Sequence, residues 1–378
     1  MAICFEFATL HGGERSILAV LGEGIPYGWE VVLLGPTDGP LPDAAAAAGL
    51  DYRPWSVRED GHKPPPEWAV RSLRAAVDAV DADLVHANSL ALARLTGRLA
   101  REDHRVCTGH LRDILRLSSA ARRDLACNRT LIAVSPAVAA FHHDEFANDQ
   151  RVDAVSPHTS TATIETIPNG IGPIERSKPK GFLRQELRLP EAMPLFATVG
   201  QISLRKGHDL AAAALRRVAV DGGDFRWLIV GERFSQKAES IDFERRLGEG
   251  LPDRVIRVGW RNDVPDILAE TTALLHPARQ EPLGRVLLEA IEVGCPVIAL
   301  DVGGNRFILP NSTLVPPPGT GPKTPERDNR TIAAFAEEIA KHLTQSPRKI
   351  VESPGRFPIA TSHKRTWNVW TDAVGDAR

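Results

Sequence analysis

The sequence predicts an α/β protein of two domains, each built on a doubly wound parallel β-sheet. Short apolar runs alternate with helix-like stretches up to about residue 135, and the same alternation returns from residue 194. A segment rich in Pro, Gly and charge, Ile167–Gly181, separates the two sets and indicates a linker. At 378 residues the chain is also too long for one typical core. Alternating strands and helices favour parallel sheets, so we expect two of them in tandem.

The first set predicts strands from short apolar runs and helices from the longer periodic stretches between them. The predicted strands are Ile3–Phe7, Glu30–Gly35, Asp83–Asn88, Arg105–His110 and Thr130–Ser135. The predicted helices begin near Arg15 and cover Trp68–Val80 and Leu92–Arg101.

The second set repeats the pattern and fixes the predicted domain boundary near Gly172. Its predicted strands are Pro194–Gly200, Arg226–Gly231, Val255–Trp260, Thr271–Pro277 and Pro296–Asp301. Its predicted helices are His208–Val220, Ile241–Leu247 and Arg285–Val293. The first domain is therefore expected over residues 1–172 and the second over 173–360.

The last residues, 361–378, carry apolar side chains in a helical stripe on an otherwise polar segment. The stripe consists of Trp367, Val369, Trp370 and Val374. We expect a C-terminal helix that packs back on the first domain.

Composition and charge exclude several classes of protein. Apolar residues make up 43% and charged residues 25%, which is ordinary for a soluble globular protein. A net charge of −2 offers no general attraction to nucleic acid, so we expect no nucleic-acid partner. No segment approaches 18 uninterrupted apolar residues, and we expect a cytoplasmic location.

The strongest motif is EPLGRVLLE at 281–289, which follows an apolar run and opens a predicted helix. Pro282 and Gly284 allow the backbone to turn sharply, so that amide groups at the helix start can face an anion or a hydroxyl group. Glu281 and Glu289 are placed so that both carboxylates can contact one ligand. A helix with an ordinary acidic start is the alternative, and the buried runs on both sides of the motif favour the functional interpretation.

A pair of cations, Arg205 and Lys206, lies between a predicted strand and a predicted helix. Two positive charges at the carboxyl end of a strand can neutralise a diphosphate. A solvated pair in a turn is the alternative interpretation.

In the first domain, His110 ends a predicted strand and places an imidazole at the carboxyl edge of the sheet. His86 and Asn88 end the preceding strand and are weaker candidates for an acceptor site. Gly12 and Gly13 open the first helix, where backbone amides can meet a phosphate or an acceptor.

Two acidic or histidine-rich runs superficially suggest a metal site. Asp81-Ala82-Asp83 has a DxD form but falls at a helix end, where acids are commonly solvated. The run 142–145 has adjacent histidines, which do not share a helix face, and is expected as polar surface. We therefore predict no metal and no cofactor.

These motifs resemble the retaining GT-B glycosyltransferases of the family 4 type (glycosyl transferases group 1). The signature of that family is two glutamates separated by seven residues, which Glu281 and Glu289 match. Further markers occur in the family's order along most of the chain. They are LVHAN from Leu84, GH from Gly109, VSPAV from Val134, IPNGI from Ile167, GQISLRKGHD from Gly200, IVGE from Ile229, VGWRNDV from Val258 and PVIALDVGG from Pro296.

The resemblance implies a GT-B architecture, in which two Rossmann-like domains face a cleft, with the acceptor on the first domain and the nucleotide sugar on the second. It implies transfer of a sugar, with retention of configuration and without a metal, to a hydroxyl group of a glycan, lipid or small molecule. It assigns the catalytic roles to Glu281, His110, Lys206 and Arg205. The donor-binding residues that it favours are Arg205, Lys206, Glu281, Pro282, Leu283, Gly284, Arg285, Glu289, Arg261, Gly12 and Gly13.

Several points stay open at the level of the sequence. Arg261, after Trp260, either borders the nucleobase or is merely exposed. Phe307 stands where the family usually has a glutamate, and Glu14-Arg15 follows the glycines without the usual intervening residue. These departures leave a non-catalytic nucleotide-sugar-binding protein as an alternative, and a nucleotide-sugar epimerase is another. The basic segment 110–126 either makes weak contact with a membrane surface or covers its own domain.

Overall fold

The computed structural model describes residues 1–58, 62, 64–147, 161–233, 235–309, 314–318, 325–344 and 354–375. The chain divides into two compact units. The first comprises Met1–Gly172 together with Phe357–Arg378, and the second comprises Pro173–Arg356. Each unit holds one parallel sheet flanked by helices, which confirms the predicted fold class of two doubly wound α/β units.

The first unit is built on a sheet whose described strands have the order β3-β2-β1-β4-β5-β6-β7. The strands are β1 (Ala2–Cys4), β2 (Val32–Gly35), β3 (Asp51–Pro54), β4 (Leu84–Ala87), β5 (Val106–Leu111), β6 (Thr130–Ala133) and β7 (Thr163–Thr166). The helices that connect them are α1 (Gly12–Gly22), α2 (Leu41–Ala47), α3 (Pro66–Asp78), α4 (Leu90–Asp103), α5 (Ser119–Ala126) and α6 (Pro136–Ala147). The strand order reverses between β1 and β4, and the carboxyl edge at such a reversal is where open parallel sheets bind ligands.

The second unit contains a parallel sheet whose described strands have the order β10-β9-β8-β11-β12-β13. The strands are β8 (Leu195–Val199), β9 (Arg226–Val230), β10 (Val255–Gly259), β11 (Ala273–His276), β12 (Val297–Leu300) and β13 (Leu314–Val315). The helices are α7 (Phe182–Glu186), α8 (His208–Val220), α9 (Ala238–Arg246), α10 (Val264–Ala269), α11 (Arg285–Glu292), α12 (Asn305–Ile308) and α13 (Pro325–Thr344). Alternate residues of one strand enter different cores: Phe196 packs with Trp227 on one face, whereas Leu195 and Ala197 pack with Ile267 on the other.

The C-terminal helix, α14 (Ile359–Gly375), belongs to the first unit. Trp367 and Trp370 are buried in the core that also contains Ile3, Phe5 and Leu33 of the first sheet. The helix contacts α1 and the strands β4, β5 and β6. The second unit therefore ends at Arg356, before the predicted boundary at residue 360.

Two helices of the first unit approach closely at Gly97. A Cβ atom at this position would lie 1.8 Å from the carbonyl oxygen of Asp124 on α5. Next to this contact, the side chain of Asn128 donates to the carbonyl of Ala93 and accepts from Thr96. The absence of a side chain at residue 97 thus lets α4 and α5 pack backbone to backbone.

We expect Gly97→Ala to destabilise the first unit by about 1–3 kcal/mol, because the added methyl group forces α4 and α5 apart. The measurement is the urea midpoint of unfolding followed by circular dichroism. The control is Gly22→Ala at the end of α1, where an added Cβ meets nothing within 4 Å. This control should keep or slightly raise the midpoint, because Ala favours helix over Gly by about 1 kcal/mol. Equal midpoints for the two variants would contradict the close-packing argument.

Candidate functional site

The candidate site of the second unit lies where β8 and β11, two hydrogen-bonded neighbours, end. Lys206 precedes α8, and Glu281 follows β11. Gly207 joins the two segments: its φ is +72°, and a Cβ there would lie 1.8 Å from the carbonyl oxygen of Pro277. The amide of Arg279 also donates to the carbonyl of Arg205 at 2.9 Å. These contacts hold the loop that carries Lys206 against the loop that carries Glu281.

A partly buried ion pair forms the centre of this site. Nζ of Lys206 lies 2.6 Å from Oε2 of Glu281, and the two side chains are only 18% and 8% exposed. Nε2 of His276 lies 3.1 Å from the same oxygen, although the angle falls outside hydrogen-bond geometry. The structure thus brings together two of the predicted catalytic residues and adds a histidine that the sequence did not single out.

The electrostatics of the cluster keep Glu281 charged. Burial is the largest single influence and raises the pKa of this carboxyl group, but the Lys206 ammonium and the adjacent His276 together outweigh burial and hold the pKa well below its usual range. Burial lowers the pKa of His276, with Glu281 opposing and Lys206 adding to the shift, so the imidazole is neutral. At neutral pH the cluster therefore contains one cation and one anion, and the carboxylate is an acceptor of hydrogen bonds.

The segment 281–289 consists of a turn and then α11. The carbonyl of Glu281 accepts from the amide of Gly304 at 2.8 Å, which fixes the turn against the start of α12. Gly284, with φ +93°, occupies the N-cap position of α11. Within the helix, Nε of Arg285 lies 3.2 Å from Oε1 of Glu289. Leu283 is buried and Pro282 is partly exposed, so Leu283 anchors the turn in the core.

The remaining candidate residues of the second unit differ in exposure and in the hydrogen bonds and ion pairs that their side chains make. The side chain of Arg205 is exposed and makes no hydrogen bond or ion pair with the described residues. Arg261 is bound by two carboxylates, Asp263 at 2.7 Å and Glu186 at 2.6 Å. Trp260 is 53% exposed. Arg205 is therefore available to an anion, while the charge of Arg261 is already compensated and its role in donor binding stays a prediction.

In the first unit, a polar cluster occupies the carboxyl edge near the reversal of strand order. Arg112 donates to the carbonyl and the side-chain oxygen of Asn88 at 3.1 and 2.8 Å, and to Asn169 at 3.1 Å. Gly13 lies in the first turn of α1 with Gly12, and a Cβ on Gly13 would lie 3.3 Å from the Arg112 side chain. The glycine thus leaves room for this guanidinium group.

His110 and His86 are buried next to this cluster and contact each other through ring nitrogens 2.7 Å apart. Burial, followed by the charge of Arg112, lowers the pKa of His86 to about 3. The same two causes, in the same order, lower the pKa of His110 well below its ordinary value. Both imidazoles are therefore neutral at physiological pH.

The two runs that superficially suggest a metal site differ in their exposure. Asp81 and Asp83 are both exposed in the turn after α3. His142 is buried rather than on the surface, because it lies on the inner face of α6 and its Nε2 contacts the carbonyl of Asp113 at 3.0 Å. Within the ranges that the structure describes, no group of three His, Cys, Asp or Glu side chains is arranged to hold a metal ion.

The basic segment 110–126 is helical only in its second half, as α5, because residues up to Leu111 belong to β5. Leu115, in the irregular stretch between them, is 57% exposed. In the part of the chain that the structure describes, no helix combines the length and the hydropathy needed to cross a membrane.

Two site residues were missed at the level of the sequence, and each had a weak signal. His276 ends an apolar run, TALLH, in the same way that His110 ends VCTGH. Arg112 follows directly on the strand that ends in His110 and Leu111. A polar residue at the end of an apolar run therefore indicates both of these positions.

Comparison with known proteins bears on both units. Residues 193–345 match the sequence model of the family described as Glycosyl transferases group 1. The 2-deoxystreptamine glucosyltransferase of Streptomyces kanamyceticus is 31% identical over 153 residues, 37% of each chain. The lipopolysaccharide glucosyltransferase WaaG of Escherichia coli K12 is 30% identical over 198 residues, 51% of this chain and 50% of that one. The matched segments thus span half or less of these relatives.

Solved structures resemble the whole chain in fold. HepE of Anabaena, in complex with UDP and glucose, aligns over 98% of this chain and 99% of its own with a TM-score of 0.72 and 19% identity. Sucrose-phosphate synthase of Thermosynechococcus elongatus aligns over 99% of both chains with a TM-score of 0.74 and 18% identity. The fold is therefore the GT-B type, and residues 193–345, which contain the Lys206–Glu281 pair, are the part of the chain that matches the sequence model of the glycosyl transferases group 1.

Proposed function

We propose that this protein is a retaining glycosyltransferase that transfers a sugar from a nucleoside diphosphate sugar to a hydroxyl group without a metal ion. The observation that carries the proposal is the partly buried pair of Lys206 and Glu281 at the carboxyl edge of a sheet within residues 193–345, which match the sequence model of the glycosyl transferases group 1. A cation suited to phosphate and a carboxylate suited to sugar hydroxyl groups are adjacent there. Relatives named as glucosyltransferases, and a structure of similar fold named as a complex with UDP-glucose, support the same chemistry.

The donor is assigned to the second unit. The ammonium group of Lys206 has three N–H donors, so it can keep its bond to Glu281 while it binds a phosphate oxygen. Arg205, exposed and without a side-chain partner among the described residues, supplies a second positive charge. Glu281 then accepts from hydroxyl groups of the sugar, and Glu289, next to Arg285, accepts from the ribose.

The reaction needs stabilisation of the leaving diphosphate more than a protein nucleophile. The bond between the anomeric carbon and the phosphate oxygen breaks, and a bond to the acceptor oxygen forms on the same face of the sugar. The acceptor hydroxyl group passes its proton to the departing phosphate, so charge and atoms balance. Lys206 and Arg205 supply the positive charge that a metal ion supplies in other transferases, in a partly buried setting where it acts strongly. The first unit, with Asn88 at its carboxyl edge, is the proposed acceptor side, and His110 at the same edge is proposed to contact the reacting sugar.

Binding of one nucleoside diphosphate should raise the melting temperature of the protein, because a ligand that binds only the folded state stabilises it. UDP, GDP, dTDP and ADP are tested separately, each with magnesium and with EDTA. We expect one of them to stabilise the protein by a similar amount in both conditions. Stabilisation that disappears in EDTA would contradict the metal-independent site, and no stabilisation by any of the four would contradict donor binding.

Replacing the cation should weaken both binding and transfer. Lys206→Ala removes a charged hydrogen bond, which is worth about 1.5–3 kcal/mol, so we expect a loss of about 10–100-fold in nucleotide affinity measured by calorimetry. Loss of charge stabilisation in the transition state should lower kcat/KM by about 10²–10³.

The matched control for that variant is Lys341→Ala. Lys341 belongs to the same unit and pairs with Glu337 and Glu338 at 2.9 and 2.7 Å on α13, so the change in charge is identical. Affinity and turnover should stay within about twofold in this variant, as is usual for a surface ion pair. If Lys206→Ala and Lys341→Ala behave alike, Lys206 does not hold the diphosphate.

The stereochemical course distinguishes transfer from the alternatives. With a donor of known α or β configuration, proton NMR of the product should show the same anomeric configuration, together with release of the nucleoside diphosphate. Inversion of the anomeric configuration would contradict attack by the acceptor on the face of the sugar that the diphosphate leaves. A changed sugar that is still bound to its nucleotide would indicate an epimerase instead.

A further inference from the structure

The two buried histidines of the first unit form one end of a chain of hydrogen bonds that begins in the C-terminal helix. In the parallel pairing of β4 and β5, His86 is opposite Thr108, and His110 lies two residues farther along on the same face. α14 covers this face, and its Trp370, with no exposed surface, packs edge-on against the His86 ring with centroids 5.2 Å apart. Three elements that are distant in sequence therefore meet at His86.

The distances define the order of the side chains in this chain of hydrogen bonds. Nε1 of Trp370 lies 3.2 Å from Nδ1 of His86, and the hydroxyl oxygen of Thr108 lies 2.9 Å from the same nitrogen. On the other side of the ring, Nε2 of His86 lies 2.7 Å from Nδ1 of His110. Nε2 of His110 makes no hydrogen bond to any described residue. The chain of hydrogen bonds therefore runs from the indole through both imidazoles to the carboxyl edge of the sheet.

In this chain of hydrogen bonds, only one group has a fixed role as donor or acceptor. A hydroxyl group can donate or accept, and a neutral imidazole can carry its proton on either nitrogen, so Thr108, His86 and His110 are satisfied by two opposite arrangements of protons. The indole N–H of Trp370 is a donor only. It requires an unprotonated Nδ1 on His86, which places the His86 proton on Nε2. Nε2–H of His86 then donates a hydrogen bond to Nδ1 of His110. His110 therefore carries its own proton on Nε2.

The charge state of the rings is consistent with this order. Burial and the nearby Arg112 keep the pKa of both histidines below the physiological range, so each ring holds one proton. A doubly protonated His86 would direct an N–H group at the indole N–H of Trp370 and leave the indole without an acceptor. The neutral form with one fixed tautomer is the arrangement that satisfies every donor.

We propose that Trp370 and His86 are positioning residues that set the tautomer of His110, so that the first unit presents Nε2–H of His110 as a hydrogen-bond donor to a substrate oxygen. The inference that this oxygen belongs to a hydroxyl group of a sugar substrate rests on the proposed function. The tautomer itself does not depend on that function, because it is a property of the free protein.

The first test is nitrogen-15 NMR of the histidine rings in the intact free protein. We expect Nδ1 of both His86 and His110 to give a pyridine-type signal and Nε2 of both to give a pyrrole-type signal at neutral pH. A pyrrole-type Nδ1 on either ring in the wild-type protein would overturn the proposal without any variant.

The second test removes the indole N–H while keeping an aromatic ring, as Trp370→Phe. The reversed arrangement then becomes available, since Thr108 can accept from Nδ1 of His86, and we expect both histidines to show a mixture of tautomers. The matched control is Trp367→Phe. Trp367 lies one turn earlier on α14, packs 4.8 Å from Trp370, and has a buried Nε1 that lacks a hydrogen-bond partner among the described residues. This control perturbs the same core but should leave both tautomers unchanged.

A second variant keeps the indole and removes the hydroxyl group. Thr108→Val should retain the wild-type tautomers, because Trp370 still donates to His86. If Trp370→Phe does not fold, the wild-type spectrum and the spectrum of Thr108→Val still test the proposal. Unchanged tautomers in folded Trp370→Phe, or altered ones in Thr108→Val, would each overturn the role assigned to the indole.

Kinetics separate a failure of this proposal from a failure of the proposed function. Trp370→Phe should lower kcat about tenfold through loss of one oriented hydrogen bond. It should leave the affinity for the nucleoside diphosphate unchanged, and Trp367→Phe should alter kcat by less than about twofold. A tautomer that shifts while kcat does not would overturn the donor role of His110. Absence of transfer activity in the wild-type protein would overturn the proposed function and leave the tautomer assignment intact.

Discussion

Parallel pairing of neighbouring strands is the constraint on which the rest of this structure depends. Because each connection crosses over through a helix, both faces of each sheet are covered, and polar side chains collect where the strands end. Lys206 and Glu281 are 75 residues apart in sequence and become neighbours because they follow β8 and β11, which are hydrogen-bonded to each other. His86 and His110 meet in the first unit because β4 and β5 are paired in the same way.

The pair of Lys206 and Glu281 shows how a charged site is maintained before a ligand arrives. An isolated carboxylate as buried as Glu281 would take up a proton, but the adjacent Lys206 and His276 together keep it ionised. A buried pair of this kind contributes little to stability, because desolvation offsets much of the attraction. Its benefit is orientation, since the acceptor oxygens and the cation are already in place and need not reorganise during a reaction. Gly207 contributes to the same end by allowing the two loops to touch.

Much of the fold could be predicted from the sequence, because buried parallel strands are nearly continuous apolar runs with a distinct boundary at each end. The strands that were missed are edge strands. β3 is formed by DYRP and β7 by TIET, and both are held by main-chain hydrogen bonds to one neighbour rather than by a buried face. β13 is only two residues long. Such segments carry no periodic apolar signal, and only the sheet beside them determines their structure.

The candidate site was predictable to the extent that motifs identify it. Lys206 and Glu281 could be named from their positions at strand ends, but no pattern in the sequence gives the distance between them or the proximity of His276. Arg261 shows another limit: the sequence leaves open whether it borders a nucleobase or is merely exposed, and it does not indicate that Asp263 and Glu186 bind the guanidinium group in the structure. The partners of a long cationic side chain depend on tertiary contacts, which local sequence does not contain.

The first unit is assembled from two stretches of chain, with the whole second unit between them. During synthesis, residues 1–172 leave the ribosome long before Trp367 and Trp370, while the second unit is one uninterrupted stretch that can reach its native state first. Until α14 emerges, Ile3, Phe5 and Leu33 have an apolar face without its cover, and such a face is a target for chaperones or for aggregation. The second unit is therefore synthesised in full before the last helix of the first unit has been made.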